Sequence, residues 1–302
     1  MRPIHPNRKS LESRHSEKFF SRIGRQKFHP ENLTLIDSIV GLGLKATGLY
    51  PSCRKNAEDV KLSCVEFGFD NLPENFDGLR ILFITDLHID AIDSLADRII
   101  QIVDSTTYDL CVLGGDYSFQ IRGDTRLAEP YLERLTQHLT GKSQVLGILG
   151  NHDEYRIGEF LADRGVEMLT NEHVCHRKGD QSIYLVGLDD CHYYGAADIG
   201  LATSDLPDDV FKIMLCHSPV FYKEAERTGF SLYLTGHTHG GQLCLPRGIA
   251  LVSCAAVPRK LIKGKWVYGR IKGYTSTGVG CSGVPARLFC PPEVALITLR
   301  KT

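Results

Sequence analysis

Short apolar runs, each followed at once by a glycine or a polar turn, recur along the chain between residues 79 and 236. Their length and apolar content are typical of buried β-strands. Stretches with apolar residues at helical spacing separate them, as in SLADRIIQIVDS and YLERLTQHL. Strands that alternate with helices predict an α/β fold. The predicted strands are LRILFIT (79–85), DLCVLGG (109–115), QVLGILG (144–150), SIYLVGL (182–188), FKIMLC (211–216) and FSLYLTG (230–236).

This pattern divides the chain into two parts. We expect a compact domain over residues 65–302, whose end after Gly240 is all-β because helical spacing does not recur there. Residues 1–60 are expected to form a separate segment, basic at first and amphipathic later, with eight Lys or Arg and two acids between Arg2 and Lys27. Such a segment can lie on an anionic membrane surface, or it can pack as a helix on the protein's own core. The sequence leaves both interpretations open.

Composition limits the possible partners and location. A formal net charge of −1 over 302 residues gives no overall attraction to nucleic acid, so no specific nucleic-acid partner is expected. The ten cysteines form no CxxC pair, and several lie in apolar runs, which predicts buried thiols in a reducing, cytoplasmic compartment. We find no secretory signal. The most apolar early stretch, 33–50, carries Asp37 and Lys45 and is a poor membrane span.

Polar residues that can bind metals follow five of the predicted strands. In open α/β sheets, ligands bind beyond the carboxyl ends of the strands. Each residue alone would most often be an ordinary turn or cap residue. Crowded together at one sheet edge, carboxylates and imidazoles need a cation, so the joint pattern predicts a metal site. The residues at these five strand ends are Asp86, His88, Asp116, Asn151, His152, Asp153, His217, His237 and His239.

The blocks TDLH, GGD, GNHD, CHSP and GHTHGG, in this order, resemble the signature of the calcineurin-like metallophosphoesterases. The resemblance implies a four-layer α-β-β-α sandwich of two mixed sheets, with a dinuclear metal site at the strand ends. It makes Asp116 the bridge between two metals. It makes His152 an acid or charge stabiliser near the phosphate, oriented by Asp153. The implied ligands are Asp86, His88 and His239 for one metal, and Asn151, His217 and His237 for the other.

The same resemblance implies the chemistry. Two divalent ions (Mn, Fe, Zn or Co) would hydrolyse a phosphoester or pyrophosphate bond by a metal-bridging hydroxide, most simply as a phosphodiesterase. The tail STGVGCSGVPARLFCPPEVALITL is similar to that of a bacterial subgroup of small phosphodiesterases and their relatives that act on UDP-2,3-diacylglucosamine. A lipid-linked nucleotide, met through peripheral membrane contact of the N-terminal segment at the inner face of the membrane, is therefore an alternative substrate. Lipid A synthesis would then be the pathway.

Three questions about the site stay open at this stage. A non-catalytic scaffold of the same fold is a remote alternative, since all the ligand positions are filled. Many relatives carry a further acid after Asp116, whereas DYSFQIRGD offers none before Asp124, which leaves the substrate uncertain. Arg287 is expected either to contact a phosphate or to pair with Glu293.

Overall fold

The computed structural model describes residues 6–14, 34–121, 124–207 and 209–302. The helices are α1 Pro6–Arg14, α2 Thr34–Ala46, α3 Tyr50–Glu58, α4 Leu95–Ser105, α5 Glu129–Thr140, α6 Tyr155–Ala162, α7 Ile199–Thr203 and α8 Tyr222–Arg227. The strands are β1 Lys61–Phe69, β2 Arg80–Ile84, β3 Leu110–Leu113, β4 Gln144–Gly147, β5 Glu167–Met168, β6 Glu172–Lys178, β7 Gln181–Gly187, β8 Lys212–Leu215, β9 Leu232–Thr235, β10 Cys244–Leu245, β11 Ile249–Ala250, β12 Gly264–Tyr268, β13 Ile271–Thr275 and β14 Glu293–Lys301.

Two six-stranded sheets form the centre of the domain. The first has the order β1-β14-β2-β3-β4-β5, and the second has the order β12-β13-β9-β8-β7-β6. Both are mixed, because β14 runs antiparallel to β2, while β6 and β12 run antiparallel to their neighbours β7 and β13. The six strands predicted from the apolar runs are β2, β3, β4, β7, β8 and β9.

Four layers follow from the way the apolar faces are buried. The two sheets share a core that includes Ile81 and Phe83 of the first sheet and Ile213 and Leu232 of the second. Helices α4, α5 and α6 cover the outer face of the first sheet, and α7 and α8 cover that of the second. The predicted α-β-β-α sandwich is therefore confirmed, because each amphipathic helix buries its apolar stripe on a sheet.

The part of residues 1–60 that the structure describes packs on the domain. Helix α3 buries Cys53 and Ala57 completely. Helix α2 turns Val40 and Leu44 towards the C-terminal loop around Val284. None of the described helices is both long and apolar enough to cross a membrane. Much of the basic run expected between Arg2 and Lys27 lies outside the described residues.

Candidate metal centre

The seven candidate ligands lie in the loops that directly follow β2, β3, β4, β8 and β9. Because the two sheets pack face to face with these strand ends at the same edge, residues far apart in the chain become neighbours. All seven side chains are buried. Three overlapping groups of their ligand atoms, together with His152, each lie within 4.8 Å of one another: Asp86, His88 and His239; His88, Asp116 and His152; and Asp116, His217 and His237.

The first group brings two imidazoles and a carboxylate together. The Nε2 atoms of His88 and His239 are 3.2 Å apart, and their rings are nearly parallel. Asp86 Oδ1 lies 3.4 Å from the same His239 nitrogen. Two imidazole nitrogens directed at one point beside a carboxylate oxygen form a set of ligands that divalent cations of intermediate softness bind.

Asp116 lies between the group of Asp86, His88 and His239 and the group that contains His217 and His237. Asp116 Oδ2 lies 3.1 Å from His217 Nε2 and 3.6 Å from His88 Nε2, so it stands between the two groups. Asn151 Oδ1 lies 2.7 Å from His237 Nδ1. A carboxylate in this intermediate position can contact two cations at once.

Backbone carbonyls set the orientation of two ligand rings. The Nδ1 atoms of His88 and His217 lie 2.8 Å from the carbonyl oxygens of Ser118 and Gly114. Each Nδ1 can donate its proton to that carbonyl, which directs Nε2 into the centre, where it would bind an ion in its unprotonated form. This outer contact is the usual way in which proteins orient a metal-binding histidine.

The backbone of the ligand loops is strained. Five of the candidate ligands have a positive φ of 36° to 68°, a conformation that costs a residue with a side chain about 1–2 kcal/mol. Glycines make the close approach possible: a Cβ on Gly150 would overlap Asp116 Oδ1. A Cβ on Gly236 would overlap Asp86 Oδ2 in the same way. The five ligands are Asp86, His88, Asp116, His237 and His239.

Electrostatics favour a cation in this centre. Burial raises the pKa of Asp86 to about 6 and lowers the pKa of His88 to about 3, so both groups are pushed towards their neutral forms. Burial also acts to raise the pKa of Asp116, but the charges of His217 and His152 outweigh it and hold that pKa well below its ordinary value. Divalent ions favour ionised carboxylates and neutral imidazoles together, and oxygen and imidazole donors suit Mn, Fe, Zn or Co. The residues present therefore fit two such ions.

His152 lies at the edge of this centre and is 6% exposed. Its Nε2 is 4.0 Å from Asp116 Oδ2, and its Nδ1 is 2.9 Å from the carbonyl oxygen of Phe119. The side chain can therefore reach a group bound between the ligands while the Phe119 carbonyl fixes its ring.

The contacts of Asp153 differ from the role expected for it. Its carboxylate accepts hydrogen bonds from the backbone N–H groups of Asp116 and Gly150, both at 2.7 Å, and of Tyr117 at 2.8 Å. These bonds tie the loop after β3 to the loop after β4. The orientation of the His152 ring, expected from Asp153, is supplied by Phe119 instead.

Arg287 takes neither of the positions considered for it. Its buried guanidinium donates to the carbonyl oxygens of Gly278 and Gly280, and Nη2 lies 3.3 Å from His239 Nδ1. Glu293 instead accepts from Tyr274 Oη at 2.9 Å. Arg287 thus holds the C-terminal loop behind a metal ligand.

Two contacts near the centre were missed from the sequence. The His192 ring lies against that of His237, with centroids 4.1 Å apart and a tilt of 50° between the planes. His192 lies in the loop after β7, so reading the end of that predicted strand as well would have found it. Arg8 of α1 is fully buried over the ring of Tyr194 and donates to the Asp189 carboxylate and the Asp153 carbonyl. No sequence pattern distinguishes Arg8 from the other basic residues near it in the chain.

Fold and site together define an α/β sandwich with clustered candidate metal ligands at its strand ends. The chain belongs to the calcineurin-like phosphoesterases, whose family model matches residues 79–241, more than half of the chain. It is therefore a phosphoric ester hydrolase of the metallophosphoesterase type, which confirms the family and the enzyme class expected from the sequence.

Relatives of this chain include proteins from bacteria and from a vertebrate. It is 29% identical over 255 residues to the metallophosphoesterase YkoQ of Bacillus subtilis, covering 82% of this chain and 92% of the relative. It is 28% identical over 239 residues to the phosphodiesterase YaeI of Escherichia coli, covering 75% of this chain and 84% of the relative. A transmembrane protein with a metallophosphoesterase domain from Danio rerio is 28% identical over 264 residues, covering 81% of this chain and 58% of that protein.

Proposed function

We propose that this chain is a phosphodiesterase that works with two divalent metal ions held by the seven buried ligands. The observation that carries the proposal is the position of Asp116, whose Oδ2 faces ligands of both groups. In this proposal Asp86, His88 and His239 would hold one ion, Asn151, His217 and His237 would hold the other, and Asp116 would contribute to both. When bound, such a pair of ions activates water and neutralises the phosphoryl oxygens.

The side chains around the ions have separate tasks in this mechanism. Asn151 offers a neutral oxygen, which fills a ligand position without adding negative charge that would repel a phosphate. His152 donates a proton from Nε2 to the leaving alkoxide while its Nδ1 faces the Phe119 carbonyl. Asp153 acts as a positioning residue, because its three backbone hydrogen bonds hold the loops that carry Asp116 and Asn151.

The direction of the Arg287 guanidinium N–H groups favours a diester over a monoester as the substrate. A monoester dianion gains from a guanidinium that binds its oxygens in a bidentate manner. Arg287 directs its donors to the carbonyls of Gly278 and Gly280 rather than to the substrate side. A diester carries one negative charge, which the two metal ions can balance on their own. The similarity to a relative named a phosphodiesterase supports the same choice.

Hydrolysis of the pyrophosphate of UDP-2,3-diacylglucosamine is the second candidate. It is supported by the C-terminal tail and by exposed apolar side chains near the centre, such as Val252, which is 69% exposed. A cytoplasmic enzyme in peripheral contact with the membrane would fit that substrate. Seven cysteines buried as thiols support the reducing compartment: Cys53, Cys111, Cys191, Cys216, Cys244, Cys281 and Cys290. A non-catalytic scaffold remains the remote alternative.

One assay separates these functions. The purified full-length chain is loaded with Mn²⁺ and offered bis(p-nitrophenyl) phosphate, p-nitrophenyl phosphate and UDP-2,3-diacylglucosamine in parallel. The proposal expects the diester to be hydrolysed faster than the monoester, with the activity lost on chelation. Faster turnover of the lipid nucleotide than of the diester would favour the second candidate.

Asp116→Asn is the matching variant. Because it removes the carboxylate shared by both groups, hydrolysis of every substrate should fall to background. Wild-type activity in this variant would refute the site assignment. A wild-type chain that binds metal but hydrolyses none of the three substrates would support the scaffold.

A further inference from the structure

Exposed apolar side chains cluster on two neighbouring parts of the surface. On α2, Ile39 and Leu42 are 61% and 69% exposed, one turn apart on its outer face. Others lie on and around the β10–β11 hairpin and the C-terminal loop. We call this surface the apolar rim and define it by Ile39, Leu42, Leu245, Ile249, Val252 and Phe289.

The two parts of the apolar rim are joined by a shared apolar layer. The inner face of α2, through Val40 and Leu44, packs in one cluster with Leu243 and Leu288. Leu243 lies just before the hairpin, and Leu288 directly precedes Phe289. The inner face of α2, the start of the hairpin and the C-terminal loop therefore share one apolar layer, which brings the elements that carry the rim residues together. Clustered exposed apolar side chains mark an interaction site.

The apolar rim lies beside the metal centre. Gly241, two residues after His239, approaches β11 so closely that a Cβ there would overlap the Ala250 side chain and lie 3.2 Å from the Val252 carbonyl oxygen. On α2, Asp37 is near enough to His152 for the two side chains to interact electrostatically. A partner that docks on the rim would therefore lie close to the residues of the metal centre.

The charge on the hairpin and C-terminal-loop part of the apolar rim is positive, whereas α2 carries the acid Asp37 beside Ile39. Residues 227–292 contain no Asp or Glu, although the whole chain has 36 acids against 35 Lys and Arg. Arg247, Arg259 and Lys260 are exposed next to the rim. The Lys and Arg of this stretch are Arg227, Arg247, Arg259, Lys260, Lys263, Lys265, Arg270, Lys272 and Arg287.

We propose that the apolar rim docks on an anionic phospholipid surface, with the metal centre facing the headgroups. Aliphatic and aromatic side chains beside basic ones are the combination that inserts at the boundary between headgroups and acyl chains. A second copy of this chain is a poor occupant, because a two-fold contact would oppose the same basic residues. The inference goes beyond the proposed function, because it holds whichever phosphoester is cleaved.

Vesicle co-sedimentation of the full-length protein tests this proposal. The wild type should sediment with vesicles of phosphatidylglycerol and phosphatidylcholine, and much less with phosphatidylcholine alone. Val252→Asp should lower the partition coefficient about tenfold or more, because it places a charge at the apolar boundary. Val267→Asp is the matched control, since Val267 is 56% exposed on β12 near the far end of the second sheet and should bind like the wild type.

The basic residues allow a second matched pair. Arg247→Glu should also lower the partition coefficient about tenfold, whereas Arg270→Glu, in the turn after β12, should leave it nearly unchanged. Circular dichroism and melting temperature verify that each variant is folded.

Three outcomes would overturn the proposal. The first is equal binding of the wild type to neutral and anionic vesicles. The second is an equal loss of vesicle binding in Val252→Asp and Val267→Asp. The third is a dimer that forms without lipid in sedimentation velocity and that Val252→Asp abolishes. None of these readouts requires hydrolysis. Failure of the lipid proposal is therefore distinguishable from failure of the proposed phosphodiesterase activity.

Discussion

Replacing Asp153 by Asn tests how the loops of the metal centre are held together. In the structure Oδ2 of Asp153 accepts from the N–H groups of Asp116 and Gly150, and Oδ1 accepts from that of Tyr117. Asparagine has nearly the same shape but only one acceptor oxygen. Its NH₂ group must therefore face at least one of these N–H donors, and the two remaining bonds lose the assistance of the negative charge.

The magnitude follows from these contacts. A hydrogen bond to a charged group contributes about 1.5–3 kcal/mol to stability. Burial, followed by the charge of Asp116, raises the pKa of Asp153 to about 6, so removing the charge recovers part of a desolvation cost. We therefore expect the variant to lose about 2 kcal/mol of unfolding free energy at pH 7.5, where the carboxylate is ionised. For a chain of this size that corresponds to a fall of roughly 3 °C in melting temperature.

Differential scanning calorimetry gives the stability, and elemental analysis of the purified protein gives its metal content. Both should fall in Asp153→Asn, because the strained Asp116 loop loses its support. Asp77→Asn is the control: its exposed carboxylate accepts a single bond, from the Lys301 N–H at 3.0 Å, and should cost no more than about 0.5 kcal/mol. Unchanged melting temperature and metal content together with slow hydrolysis would refute this argument and restore a role for Asp153 in orienting His152.

Two further substitutions follow from the site. His152→Ala should slow diester hydrolysis by roughly 10²–10⁴-fold with metal content near normal, and loss of metal would show that His152 is a ligand. Gly236→Ala should lower both metal content and activity, because the added Cβ overlaps the Asp86 carboxylate. Gly43→Ala on the open face of α2 is its matched control and should retain both, with helix stability raised by roughly 0.5–1 kcal/mol.

The sequence predicted those strands that are recognisable from a short run of consecutive residues. Runs such as LRILFIT contain an unbroken apolar stretch, Ile81 to Ile84, and the structure buries these last four residues of β2 completely or nearly so. Their polar ends identified the candidate ligands, because chemistry concentrates at one edge of an α/β sheet. The pairing of distant strands was not predicted. Strand β1 runs parallel to β14 from the other end of the chain, and no local pattern records which strand will be its neighbour.

The site contacts that escaped prediction depend on tertiary structure. Arg8 lies in a run of basic residues, and only the fold places Asp189 and the Asp153 carbonyl around it. Arg287 looked equally suited to a phosphate or to Glu293, because a sequence does not show that two buried glycine carbonyls lie within its reach. Side chains that bind backbone groups leave no pattern of residue types to recognise.

The strained backbone connects the proposed metal binding of the candidate ligands with their contribution to the fold. The positive φ of five candidate ligands costs about 1–2 kcal/mol each in folding free energy. The total is comparable to the net stability of a domain, so other contacts must offset it. The ligand carboxylates themselves supply some of those contacts. Asp116 Oδ1 accepts from the His152 N–H at 2.9 Å, and Asp86 Oδ1 accepts from the His237 N–H at 2.9 Å. Each carboxylate thus faces the metal centre while it fixes the loop of another strand. A substitution at either one should consequently weaken the architecture of the centre as well as its affinity for metal.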